Sequence, residues 1–332
     1  MIPMSKITSD NSEKMLAVTV NGGARSVQVR KPSAGTGEVV IRVERVGICG
    51  TDWAMLNGYS DFRGIIGHEF AGIVIESESA IIAGTRVTAS INIPKDIDSA
   101  LDWKKAKHDP DRTAMGIRGR DGAMAEFVAL PENILHKLPD NVDYASGAMA
   151  EPLAAALHAV ELIPSDADET LIVGDGRLAQ LVARGLRYQG IPAAVLGKSL
   201  KKMGMMRKSG ARIIEDDHAK NGDLFQYIIE ASGDEKGIQT AIDLVRPEGT
   251  VILKSTMAQL NEIDLSKVVV KEVKLIGSRC GDIAKALRFI NSGEIEVNDL
   301  ISAVYPLKQA ARAFEAMKNP DTIKIQLSPH GN

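Results

Sequence analysis

Cysteine is nearly absent. The 332-residue chain holds two, Cys49 and Cys280, too few and too far apart for a disulfide framework, a four-cysteine zinc knot or an iron–sulfur cluster. Aromatic residues make up 4%, and charge is close to balance, with Lys+Arg 40 against Asp+Glu 43 and a net charge of −3. A nucleic-acid binder would need a basic face and stacking rings, so that class is excluded. No run of about 18 apolar residues occurs, and the polar opening MIPMSKITSDNSEK lacks the apolar core of a signal peptide. A cytoplasmic protein without membrane or nucleic-acid partners is expected. At roughly 150 residues per domain, the length suggests two domains, each with an ample core.

What is present changes texture once. From about Lys14 to Pro139, short β-rich runs (LAVTV, VVIRVERV, AGIVIE) are separated by Gly, Pro and Asn clusters, the pattern of a barrel-like β domain. Ala145–Leu162 reads as an Ala/Leu-rich helix, and beyond it strands and helices alternate, which implies βαβ units and a parallel, doubly wound sheet. The expected fold class is therefore α/β. A catalytic β domain spans 1–144 and is completed by about 290–332, and a nucleotide-binding domain spans 145–289.

Within the second domain LIVGDGRLA follows a predicted strand and opens a helix. Gly174 allows the tight turn, Gly176 lets backbone N–H groups approach a pyrophosphate, and Ala179 keeps the helix close to the sheet, with Arg177 and Leu178 opening that helix. A plain glycine turn is the competing reading. The next strand bears on which nucleotide is bound. A cofactor without a 2′-phosphate wants an Asp or Glu about 20 residues on. Here Gly197, Lys198 and Ser199 stand at that place, with Lys201 and Lys202 beyond. Charge-assisted bonds from Lys198 and Ser199 would suit a 2′-phosphate, so NADP(H) is expected over NAD(H).

In the β domain, a soft thiolate (Cys49), an imidazole (His68) and a carboxylate (Glu69) fall within twenty-one residues among several glycines. That set suits catalytic Zn²⁺, with three protein groups and one open position. Glu151, at the start of the helix joining the domains, is a fourth candidate.

The motifs GICGTD (47–52), GHEFAGIV (67–74), DGAMAEFVALP (121–131), EPLAAALHA (151–159), GDGRLAQL (174–181), EASG (230–233), RPEGTVILKST (246–256) and GSRCG (277–281) occur in an order that resembles the zinc-dependent medium-chain alcohol dehydrogenases, over about Leu16–Leu327. The resemblance implies a GroES-like β-barrel catalytic domain, a Rossmann domain, and substrate bound between them at the metal. Cys49, His68 and either Glu69 or Glu151 match the catalytic zinc ligands. Thr51 matches the hydroxyl that passes the substrate proton, and Asp52 the acid that orients the metal-binding imidazole. Lys324 matches a cation approaching the cofactor pyrophosphate.

Two departures stand out. A relay histidine common in relatives is here Ala54, and the four cysteines of a structural-zinc lobe are here Lys95, Asp98, Leu101 and Asp109. One catalytic zinc and no structural zinc are expected, with Asp98 and Asp109 available to pair with Lys95 or Lys105. The implied reaction is hydride transfer between NADP(H) and a small alcohol, aldehyde or ketone, with polyols and sugars among the candidates. A zinc-free quinone or enone reductase of the same fold and a non-catalytic nucleotide-binding relative are the rival readings. Trp53 and Tyr59 are candidates for the substrate pocket or the core. Cys280, His108, His136, His158, His218 and His330 read as packing or surface residues. The resemblance also implies a homodimer or homotetramer, joined through an edge strand around Val251–Ser255.

Overall fold

The computed structural model describes residues 13–58, 60–96, 102–214, 224–256 and 262–331. In the first half the Glu38–Gly47 strand is the hub. It pairs antiparallel with Glu69–Ser77, Gly47 standing opposite Glu69, and also with Phe127–Pro131. The sheet continues through Arg86–Ala89 and Leu135–Lys137 on one side, and through Lys324–Ser328 and Ile301–Pro306 on the other. The last two strands thus return to complete the sheet of the first half. Alternate residues Val39, Ile41 and Val43 turn inward with Phe70 and Val74, and Phe314 of the Ala310–Ala316 helix closes over them.

The second half is a six-stranded parallel sheet in the order Arg212–Ile213, Ala193–Leu196, Thr170–Val173, Phe225–Glu230, Val245–Leu253, Lys274–Gly277. The strands TLIV and AAVL are buried at every residue, as strands covered on both faces must be. Strand order reverses between Thr170–Val173 and Phe225–Glu230, the switch point at which doubly wound sheets bind ligands. The Arg177–Tyr188 helix rises from that point and packs against the Ala150–Val160 helix, so closely that a Cβ at Gly185 would meet Val160 and Leu157 at 3.1 and 3.3 Å. The core of this half also takes in Ala71, Leu138 and Val142, so the two halves share buried surface.

Two expectations are corrected. Ala145–Leu162 is two helices, Tyr144–Gly147 and Ala150–Val160. Pro152 has no N–H to give to a preceding carbonyl, so it sits in the first turn of a new helix rather than inside a continuous one. Val251–Ser255 is not an edge. The Val245–Leu253 strand lies between Phe225–Glu230 and Lys274–Gly277, and the latter is the outer strand among the described residues. No helix among the described residues is long and apolar enough to cross a membrane.

Candidate metal and nucleotide site

The metal loop is built by a strand end, a helix start and one buried acid. Cys49 is the extended N-cap of the Gly50–Leu56 helix, and Asp52, the third residue of that helix, is fully buried. The Asp52 carboxylate accepts the Cys49 N–H at 2.7 Å and the Gly67 N–H at 3.1 Å, and lies 3.5 Å from His68 Nδ1. Gly67 has φ +97°, and a Cβ there would strike Met124, so only glycine lets the second segment approach. His68 and Glu69 follow at the start of their strand, 3% and 1% exposed. The Gly47–Glu69 register then brings the ligand atoms of Cys49, His68 and Glu69 within 4.8 Å of one another.

Cations gather round this trio. Lys324 Nζ donates to Glu69 Oε2 and, at 3.0 Å, to the Ile48 carbonyl. The Arg177 guanidinium donates to the Ile48 carbonyl at 3.1 Å and to Cys49 Sγ at 3.3 Å, and lies 3.4 Å from Glu69 Oε1. Burial alone would raise the Cys49 thiol, but Arg177, His68 and Lys324 outweigh it and hold it well below the usual value. Burial would lower His68, yet the Asp52 carboxylate and Cys49 raise it to about 9. A zinc ion fits this arrangement. A thiolate, an imidazole and a carboxylate converge, and the His68 Nδ1 is a buried donor without a hydrogen bond, aimed at Asp52, which leaves Nε2 to ligate. Thr51 Oγ1 stands 3.7 Å from Cys49 Sγ, beside the trio.

Lys324 is corrected. The sequence reading set it against a cofactor pyrophosphate, but its side chain is wholly buried behind Glu69. A lysine there must be paired, and its pairing with Glu69 supplies a counter-ion to the metal loop. Glu151 is buried and pushed up to about 6 by burial, and it feels His68, Cys49 and Arg177, but it lies outside the converging trio. It lines a small cavity with Asn92, Trp103 and Cys280. Sequence reasoning missed Lys254, a lysine 8% exposed and lowered to about 8 by burial. It feels Cys280 and Glu151, and its ammonium has no hydrogen-bond partner among the described residues. The signal available was a lysine at the carboxyl end of an apolar strand (VILK), where doubly wound sheets place ligands.

The glycine turn sits at the switch point as expected. Gly174 has φ +120°, and a Cβ there would strike Ala231 and Ser232, whereas a Cβ at Gly176 would point into open space that a pyrophosphate can fill. Asp175 turns away from that space and accepts the backbone N–H groups of Lys198 and Ser199, each at 2.7 Å. Lys198 pairs with Asp234, and the Ser199 hydroxyl donates to Asp321 at 2.9 Å while accepting from Lys202 N–H. Gly174, Asp175, Gly197, Lys198 and Asp234 line one groove of about 350 Å³. Leu178 follows Arg177 in the helix, packed against the core of this half.

Trp53, His136, His158, His330 and Cys280 have structural partners. Trp53 stacks on Phe314, with Lys318 over its ring, on the outside of the first half. His136 bonds Ser90 and His330 meets the Glu126 carbonyl. His158 bonds Lys107 at 3.0 Å and meets Trp103 edge-on. Asn92 donates to Cys280 Sγ at 3.4 Å. Tyr59, Asp98, Leu101 and His218 lie outside the described residues. In the lobe, Asp109 accepts the Lys95 N–H and the Lys95 ammonium pairs with Asp111. Lys107 ties the lobe to the second half by donating to the Arg279 carbonyl at 3.2 Å, while Arg279 donates back to the Lys107 carbonyl.

Residues 35–140 match the alcohol dehydrogenase GroES-like domain and residues 196–292 the zinc-binding dehydrogenase family. D-arabitol-phosphate dehydrogenase of Enterococcus avium is 27% identical over 91% of this chain and 92% of its own length. Sorbitol dehydrogenase of Halalkalibacterium halodurans is 26% identical over 95% and 99%. Among solved structures, a protein from Sinorhizobium meliloti 1021, described as a zinc-binding dehydrogenase and bound to NADP, superposes with a TM-score of 0.83 at 26% identity, over 96% of this chain and 100% of that one.

Proposed function

The chain belongs to the zinc-dependent medium-chain alcohol dehydrogenase family and is an oxidoreductase of that type, and on this premise we propose that it exchanges hydride between NADP(H) and a polyol or sugar substrate, using one zinc per chain. The observation that carries the reading is the convergence of Cys49, His68 and Glu69 within 4.8 Å, with a hydroxyl beside them. When bound there, zinc supplies positive charge at the substrate oxygen and the nicotinamide gives or takes the hydride.

The protein's own residues do the rest. Asp52 fixes the loop and the His68 ring, so the ligands are aimed before the metal arrives. Thr51 holds the proton leaving or returning to the substrate hydroxyl, and Ala54 offers no onward relay. The Glu151 carboxylate and the Lys254 amine, buried and within electrostatic reach of each other, offer an acceptor and a donor to the hydroxyls of a polyol. The missing acid after the Ala193–Leu196 strand supports NADP(H), since Lys198 and Ser199 follow that strand instead and Asp175 is already satisfied by their backbone.

The domain division at about 145 and 290, cytoplasmic residence and a homodimer or homotetramer are parts of the same reading. A thiolate ligand suits a reducing compartment. The outer strand Lys274–Gly277, with exposed Val269, Val270 and Leu275 nearby, is the face offered to a second copy.

The test is cofactor oxidation with ketoses, aldoses and simple ketones, before and after chelation. The expected result is ketose reduction with NADPH favoured over NADH by about tenfold or more in kcat/KM, the scale of a charge-assisted bond, with turnover lost on chelation and regained with zinc. Preference for NADH, or turnover indifferent to chelation, would contradict it.

A further inference from the structure

Arg177 belongs to one site by sequence and to the other by geometry. It is the first residue of the helix that begins at the glycine turn, so its backbone N–H is one of the free donors that greet a pyrophosphate. No side chain caps that helix. Its guanidinium, 15% exposed, has crossed to the other half of the molecule, onto the Ile48 carbonyl, Cys49 Sγ and Glu69 Oε1. One side chain therefore joins the start of the nucleotide helix to two candidate zinc ligands, and its Nε is buried without a partner.

The charges define what each ligand would do to it. Without a metal, the half-buried Cys49 sulfur and the buried Glu69 carboxylate stand together, and the cations in contact with them are Arg177 and Lys324. Lys324 is buried to the last atom, held by Glu69 and Ile48, and has nowhere to go. Arg177 keeps some exposure and stands at the mouth of the turn. A divalent cation on the thiolate and carboxylate removes the reason for the guanidinium to be there and repels it. A pyrophosphate at the helix start attracts it. Both ligands displace the same group in the same direction, and the cost of breaking its contacts is met only once, by whichever binds first. Two ligands that share one cost bind cooperatively, and linkage makes the effect equal in both directions.

We propose that Arg177 couples the two sites: its guanidinium is the counter-ion of Cys49 and Glu69 in the metal-free protein and of the dinucleotide pyrophosphate in the loaded one, so that zinc and NADP(H) each tighten the binding of the other. This rests on the zinc and dinucleotide assignments above and adds a direction of coupling that those assignments do not require.

The experiment is a binding cycle rather than a rate. NADPH affinity is measured by nucleotide fluorescence on zinc-stripped and zinc-loaded protein, for the native chain, Arg177→Gln and Arg177→Lys. Zinc affinity is measured by competition with a chromophoric chelator, with and without NADPH. In the native chain, zinc is expected to tighten NADPH by about tenfold, within the usual range of coupling between sites, and NADPH to tighten zinc by the same factor. In Arg177→Gln the factor falls to about one, and the stripped protein takes zinc more readily because nothing shields Cys49. Arg177→Lys keeps the charge but cannot reach Ile48, Cys49 and Glu69 together, and retains less than half of the coupling free energy. A native factor of one, or a factor that persists unchanged in Arg177→Gln or Arg177→Lys, overturns the proposal while leaving the zinc and NADP(H) assignments standing. A native protein that binds no zinc overturns both. Loss of NADPH affinity by equal amounts in stripped and loaded Arg177→Gln overturns the coupling and leaves Arg177 a plain pyrophosphate contact.

Discussion

Asp52 serves three groups with one carboxylate: the Cys49 N–H, the Gly67 N–H and the Nδ1 edge of His68. Asp52→Asn preserves shape but removes the charge that orients the imidazole, so zinc affinity is expected to fall about 10–100-fold, read by chelator competition. An unchanged affinity would remove Asp52 from the metal site. Lys324 poses the opposite case, a cation kept for a buried partner. Lys324→Met leaves Glu69 short of one counter-ion and is expected to cost about 3–5 kcal/mol in the zinc-stripped protein, and clearly less once zinc supplies the charge. Urea unfolding of the two forms measures the difference, and equal losses would mean that Lys324 contributes packing alone. Lys254→Met is expected to raise KM for a ketose by about tenfold, the scale of one hydrogen bond from a charged donor, with little change for a simple ketone. A parallel loss on both substrates would sink the hydroxyl-binding role.

At the scale of elements, the proposed preference for NADP(H) rests on the turn after the Ala193–Leu196 strand. Replacing Lys198 and Ser199 by alanine together is expected to lower kcat/KM for NADPH by about tenfold or more while leaving NADH nearly unchanged. Steady-state rates with both cofactors check this, and a loss shared equally would assign the two residues to structure. The glycine turn was legible in the sequence because its signal is local: an apolar strand, Gly174 and Gly176, then a helix, within about ten residues. The trio Cys49, His68 and Glu69 was legible for the same reason. The partnership of Lys324 with Glu69 was not, because 255 residues separate them and only the return of the Lys324–Ser328 strand beside Glu38–Gly47 brings them together. Nor was the reach of Arg177 across to Cys49, 128 residues away, since a helix-start arginine looks like any other until the second half is placed against the first. Lys254 was passed over because a lysine in a motif carries no mark of burial.

For the whole molecule, strand order corrected what the resemblance implied. Val251–Ser255 was expected at an edge, but a parallel sheet grows outward from its switch point, and the later strand Lys274–Gly277 lies outside it. The two halves share a core through Ala71, Leu138 and Val142, and polar ties cross between them at Arg177 and at Lys107 with Arg279. The lobe around Lys95 and Asp109 is fastened by a hydrogen bond and an ion pair rather than by thiolates, and the proposed single zinc rests on Cys49. Zinc per chain, measured by mass spectrometry on the purified native protein and on Cys49→Ser, asks this directly. About one zinc per native chain and close to none in Cys49→Ser is the expected result. Two zincs per chain, or a full complement that survives the loss of Cys49, would contradict it.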